Sequence, residues 1–141
     1  MALETLNLSN NHFECFPWVA ICSMKDLTVI NMARNRMSHI FDAQEKKEMQ
    51  KLIVQPEFSF AKQQPFAVFK RLINLDLSSN FLTTFPSEVN VCKLEELNLM
   101  NNMIESIPLT FYSGSEVSKT LKRLLLNQNE IKELDAKIVN I

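Results

Sequence analysis

Hydrophobic residues along this chain recur at fixed offsets. Leu3, Leu6 and Leu8 are followed by Asn11, Phe13, Phe16 and Pro17. The same spacing returns as Leu72, Leu75, Leu77, Asn80, Leu82, Phe85 and Pro86, and again as Leu94, Leu97, Leu99, Asn102, Ile104, Ile107 and Pro108. Leu27, Ile30, Met32, Asn35, Met37 and Ile40 repeat it without the Pro, as do Leu121, Leu124, Leu126, Asn129, Ile131 and Leu134. Each copy reads Leu-x-x-Leu-x-Leu-x-x-Asn-x-Leu, with a further apolar residue three positions on. The Leu-x-Leu segment alternates with period two, which predicts a short strand with one buried face. The remaining apolar positions turn inward and fill the coil that follows.

The Asn positions Asn11, Asn35, Asn80, Asn102 and Asn129 form a ladder of buried polar residues at the turn leaving each strand. An amide side chain offers donors and an acceptor, so it can satisfy backbone groups of its own coil and of the next. Leucine could not replace it.

This pattern resembles the leucine-rich repeat family over nearly the whole chain. The resemblance implies an α/β solenoid: a curved parallel β-sheet on the concave side, and irregular, 3₁₀ or short helical segments on the convex side. Copies containing Pro resemble the intracellular subtype found in Ras-binding and cell-polarity scaffolds and in Roco-type kinases. The chain is expected to be a single domain over 1–141, belonging to a longer array. Ile138 and Ile141 would expose the flank of the last coil and allow self-association through uncapped ends.

Copies start at residues 3, 27, 72, 94 and 121, so the second interval is about two repeats long. Met49, Leu52 and Val54 fit the first apolar positions of a missing copy, with Glu57 where Asn belongs. Residues 49–71 therefore read as a degenerate sixth repeat. The alternative is an insertion carrying a helix over Asp42 to Lys51.

The outward positions of the strands make the candidate binding face. They include Asn74, Asp76, Glu96, Asn98, Met100 and Arg123. Phe58, Phe81 and Met103 are expected as an apolar row at one edge, the composition of an interface core. Arg34 and Arg36 add a basic cluster. A partner with an apolar stripe flanked by an acidic group would match both. Six strands at about 4.8 Å spacing make a sheet roughly 25–30 Å long. A strip that narrow buries less than the roughly 800 Å² per side of a stable interface.

Composition narrows the function. A net charge of −1 lacks the positive field that nucleic acid favours. No apolar run reaches the roughly 20 residues of a membrane span. Cys15, Cys22 and Cys92 are an odd, unclustered set, and the cysteine-rich caps usual in extracellular relatives are missing. That favours a cytoplasmic over an extracellular origin, although Asn7-Leu8-Ser9 is a glycosylation sequon. His12 and His39 sit in no nucleophile motif, Cys15 and Cys22 are too far apart for a zinc knuckle, and one glycine cannot build a phosphate loop. No catalytic residue, metal or cofactor is expected. The function that follows is a non-catalytic module binding another protein or peptide through its concave face. The alternatives are a regulatory segment of a larger signalling enzyme, a kinase or phosphatase, and a ligand-recognising receptor fragment.

Overall fold

A computed structural model describes residues 2–61 and 64–134. Ile138 and Ile141 lie outside the described residues. Five three-residue strands, β1 (Thr5–Asn7), β2 (Val29–Asn31), β3 (Asn74–Asp76), β4 (Glu96–Asn98) and β5 (Arg123–Leu125), form one parallel sheet in sequence order. Each strand centres on the second leucine-type residue of its copy. Leu6, Ile30, Leu75, Leu97 and Leu124 are in register across the sheet. Of these, Ile30, Leu75 and Leu97 are fully enclosed by coils on either side. Burying each such side chain contributes about 2 kcal/mol.

Hydrogen bonding between coils continues past the strands. Leu8 and Asn10 donate to the Asn31 and Ala33 carbonyls, and the pattern repeats to Leu99 and Asn101, which donate to Leu125 and Asn127. In each coil the residue before the ladder Asn takes a left-handed backbone: Asn10, Arg34, Ser79, Asn101 and Gln128 have φ between 54° and 59°. This kink turns the chain out of the sheet. For a residue with a Cβ it costs about 1 kcal/mol, which Asn tolerates best.

The ladder is built from the next residue. Asn35 Nδ2 donates to the Leu8 and Met32 carbonyls, while its Oδ1 accepts from the Phe13 amide. Asn80 and Asn102 do the same one coil further on, and all three are buried. Asn129 closes the series on Leu99, Leu126 and Ile104. Each Asn therefore serves its own coil and the preceding one, not the next. Asn11, in the first coil, bonds only to Leu8 and Ser9 carbonyls and is exposed.

On the convex side, three short pieces are opened by the Pro of their copy. Pro17 precedes α1 (Trp18–Ile21), Pro86 precedes a 3₁₀ turn (Ser87–Val91), and Pro108 precedes a further short helix. Proline suits these starts because a first-turn amide needs no partner there.

Residues 49–71 do not form a sixth coil. β2 pairs directly with β3, Ile30 opposite Leu75, so the sheet has five strands and spans about 20 Å. The intervening chain is an insertion on the convex side: α2 (Ala43–Leu52), then 3₁₀ turns Pro56–Ala61 and Pro65–Val68. Asp42 caps α2, its carboxylate accepting from the Glu45 amide at 2.6 Å. Glu45 in turn accepts from the Val19 amide at 2.8 Å, tying α2 to α1. Trp18, fully buried, donates its indole N–H to the Pro65 carbonyl. Phe16, Phe41, Phe66 and Phe69 stack in one cluster, with Phe16 and Phe66 ring centroids 4.8 Å apart. The insertion thus completes the core of the first two coils. The later coils are covered by α3 (Leu109–Tyr112) and α4 (Glu116–Thr120), joined at Gly114 with φ +86°.

Candidate functional site

Two outward rows pave the concave sheet. The first is Thr5, Val29, Asn74, Glu96 and Arg123; the second is Asn7, Asn31, Asp76, Asn98 and Leu125. At the centre a shallow cleft of about 170 Å³ is lined by Val29, Asn31, Asn74, Asp76, Glu96 and Asn98. Arg123 pairs with Glu96 at 3.1 Å, and Asn98 Nδ2 donates to Asp76 Oδ2 at 3.2 Å. The floor is polar and largely paired within itself.

The second row has a structural duty that pattern reading overlooked. Asn7, Asn31, Asp76 and Asn98 each accept, through Oδ1, the amide two residues on. These Asx turns end the strand and prepare the left-handed kink. The signal was present: Asn or Asp stands four residues before the ladder Asn in four copies, and Leu125 breaks the series. Asp76 and Asn98 therefore hold the backbone as well as paving the floor.

Phe81 and Met103 stand on neighbouring coils at the rim, 51% and 37% exposed. Met100 is half-buried beside them, and Arg34 and Arg36 are exposed on the second coil. Phe58 does not join this row. It lies in the insertion, buried, its ring 6.3 Å from Trp18 in edge contact. The reason is that residues 49–71 never enter the sheet. Lys51, Ile53 and Gln55, from the same stretch, likewise lie outside the sheet, on α2 and the turn beyond.

The groups capable of chemistry are poorly placed for it. Burial pushes the Cys92 thiol up to about 12. Burial, with the Asp42 carboxylate beside it, takes Cys15 to about 11. Cys22 is raised chiefly by burial. None carries appreciable thiolate at neutral pH. His12 and His39 are exposed, and His39 Nδ1 lies 2.8 Å from Ser38 Oγ. Among the described residues no three His, Cys, Asp or Glu side chains could hold a metal ion, and no helix is long and apolar enough to cross a membrane.

Comparison with known proteins agrees with this architecture. The Leucine Rich Repeat family model matches residues 2–24 and 93–113. Over 123 residues the chain is 27% identical to an adenylate cyclase of Schizosaccharomyces pombe, covering 86% of this chain and 6% of that protein. The chain thus spans a small fraction of the curated relative it matches. A leucine-rich-repeat protein of Leptospira interrogans shares the fold with a TM-score of 0.61 at 22% identity, over 97% of this chain and 34% of that one. Parallel strands in sequence order, the Asn ladder and these matches agree: the chain is a leucine-rich-repeat solenoid.

Proposed function

We propose that this solenoid is an interaction module, without catalysis of its own, that holds a segment of another protein on its concave face. The observation that carries the reading is the pair Phe81 and Met103. Other exposed large apolar side chains, Val54, Ile73, Leu109 and Leu134, are scattered. Phe81 and Met103 are neighbours, rimmed by Arg34 and Arg36, which is the composition of an interface centre. The Pro-opened convex turns and the buried thiols Cys22 and Cys92 support an intracellular, Pro-containing repeat subtype. Nucleic acid is a poor partner for a chain of net charge −1.

A second reading is favoured by the match to a cyclase many times longer. The module would then be a regulatory repeat segment of a larger signalling enzyme, its concave face receiving another part of that enzyme or a regulator.

The test compares quantitative capture by immobilised wild type, Phe81→Ala/Met103→Ala, and a convex control, Lys47→Ala/Gln50→Ala. Proteins held by wild type and by the convex control should be lost from the concave variant. Equal retention by all three, or loss confined to the convex control, would remove the concave face from the proposal.

A further inference from the structure

One rim row changes its chemistry in order along the solenoid. It occupies the position after each ladder Asn: His12, Arg36, Phe81, Met103 and Glu130, all exposed. Backbone bonds fix the spacing, since Arg36, Phe81, Met103 and Glu130 donate to Phe13, Met37, Leu82 and Ile104 of the preceding coil. The row therefore advances about 4.8 Å per coil. From Arg36 onward it runs from cationic, through apolar, to anionic.

The charges at its two ends are uncommitted. The chain has four arginines. Arg71 pairs with Asp26 and Arg123 with Glu96, each across a coil boundary. Among the described residues no carboxylate pairs with Arg34 or Arg36, and no cation pairs with Glu130, although its outer neighbour Lys132 faces Glu105 at 3.9 Å. Glu14 stands two residues beyond His12, so the second coil, with Arg34 and Arg36, is the positive end.

We infer that the occupant is an extended peptide segment with the order acidic-x-apolar-x-basic, laid along this rim. The inference rests on the concave-face reading and specifies its partner. Alternate residues of an extended chain project to one side and stand about 6.7 Å apart. From Arg36 to the midpoint of Phe81 and Met103 is one and a half coils, about 7 Å, and from there to Glu130 is about 7 Å again. An acidic residue over Arg34 and Arg36 thus places the next-but-one side chain on the apolar pair. The next-but-one after that reaches Glu130. The occupant is a protein segment because the row alternates charge sign with an apolar centre; a lipid surface or nucleic acid would meet one sign only.

A random peptide library displayed on phage is selected on the immobilised wild-type chain. Enriched sequences are synthesised and titrated by fluorescence anisotropy against wild type, Arg34→Glu/Arg36→Glu and Phe81→Ala/Met103→Ala. Enriched peptides should share the acidic-x-apolar-x-basic order. They should weaken by about tenfold on the arginine variant, the loss of two exposed ion pairs, and recover when their acidic residue is changed to Lys. Peptides that need Phe81 and Met103 but show no acidic preference overturn this inference and leave the concave reading standing. Peptides indifferent to both variants, or failure to enrich any, overturn both. Thermal midpoints of the variants establish folding, and Arg34→Gln/Arg36→Gln replaces the charge reversal if that variant is unfolded.

Discussion

The joint between the second and third coils has two faces that behave differently. On the concave face the sheet crosses it as though residues 42–71 were absent: Ile30 meets Leu75, and Asn80 bonds to the Met32 carbonyl. On the convex face the same joint opens to admit a helix, two 3₁₀ turns and a cluster of aromatic rings. The concave side is held by backbone and amide groups whose geometry admits one register. The convex side is held by apolar volume, which tolerates many arrangements if the space is filled. An array of this kind can acquire extra chain on one side without disturbing the surface on the other.

Perturbing each side separately tests this division. Asn80→Ala should have the largest effect. It leaves the Met32 and Leu77 carbonyls and the Met37 amide without their buried partner. A loss of about 4 kcal/mol is expected, read as a fall in the denaturation midpoint. Asn11→Ala, at the exposed edge, should cost under about 1 kcal/mol; equal losses would mean the ladder is not what holds the sheet.

On the convex face, Trp18→Phe keeps a ring but removes the donor to the Pro65 carbonyl. A loss of about 2 kcal/mol is expected, with faster amide exchange in α2 and unchanged exchange in β2 and β3. Exchange rising equally in the strands would show that the two faces are one cooperative unit.

Asp42 offers a smaller, pH-dependent probe. The Glu45 amide, and then the Cys15 thiol, hold its carboxyl below the ordinary 3.8. Its stabilising contribution is therefore present above that value and lost as pH falls through the lowered one. Asp42→Asn should flatten the acid limb of the stability profile, and an unchanged limb would assign the acid loss to other carboxyls. Smallest of all, Phe81→Ala/Met103→Ala should shift stability by less than about 0.5 kcal/mol, because both side chains already meet water.

Much of the concave side was legible from residue spacing, because its rules are periodic. Strand centres, coil starts and ladder amides all follow from offsets to one Asn. The insertion deceived the same reasoning. Met49, Leu52 and Val54 mimic strand spacing, yet Val54 is 78% exposed where a strand residue of its kind would be enclosed. The competing signal was local: Asp42 three residues before Glu45, then a run of good helix formers. Phe58 was misplaced for the same reason. Its burial under Trp18 depends on a contact between residues forty positions apart, which no local pattern encodes. The rim row was half legible. Phe81 and Met103 stood out as apolar, but the unpaired state of Arg34, Arg36 and Glu130 appears only once the other arginines are seen to be engaged.

The backward direction of the amide ladder has a consequence for synthesis. A chain made from its N-terminus releases each coil before the asparagine that completes it. Phe13 waits 22 residues for Asn35, Leu82 waits 20 for Asn102, and Ile104 waits 25 for Asn129. Met37 waits 43 residues for Asn80, because the insertion must be made first. At ~5–20 residues per second that wait is roughly 2–9 s, about twice that of any other coil. The aromatic cluster that the insertion completes with Phe66 and Phe69 can shelter the first two coils only over the last part of that wait, once Phe69 has emerged.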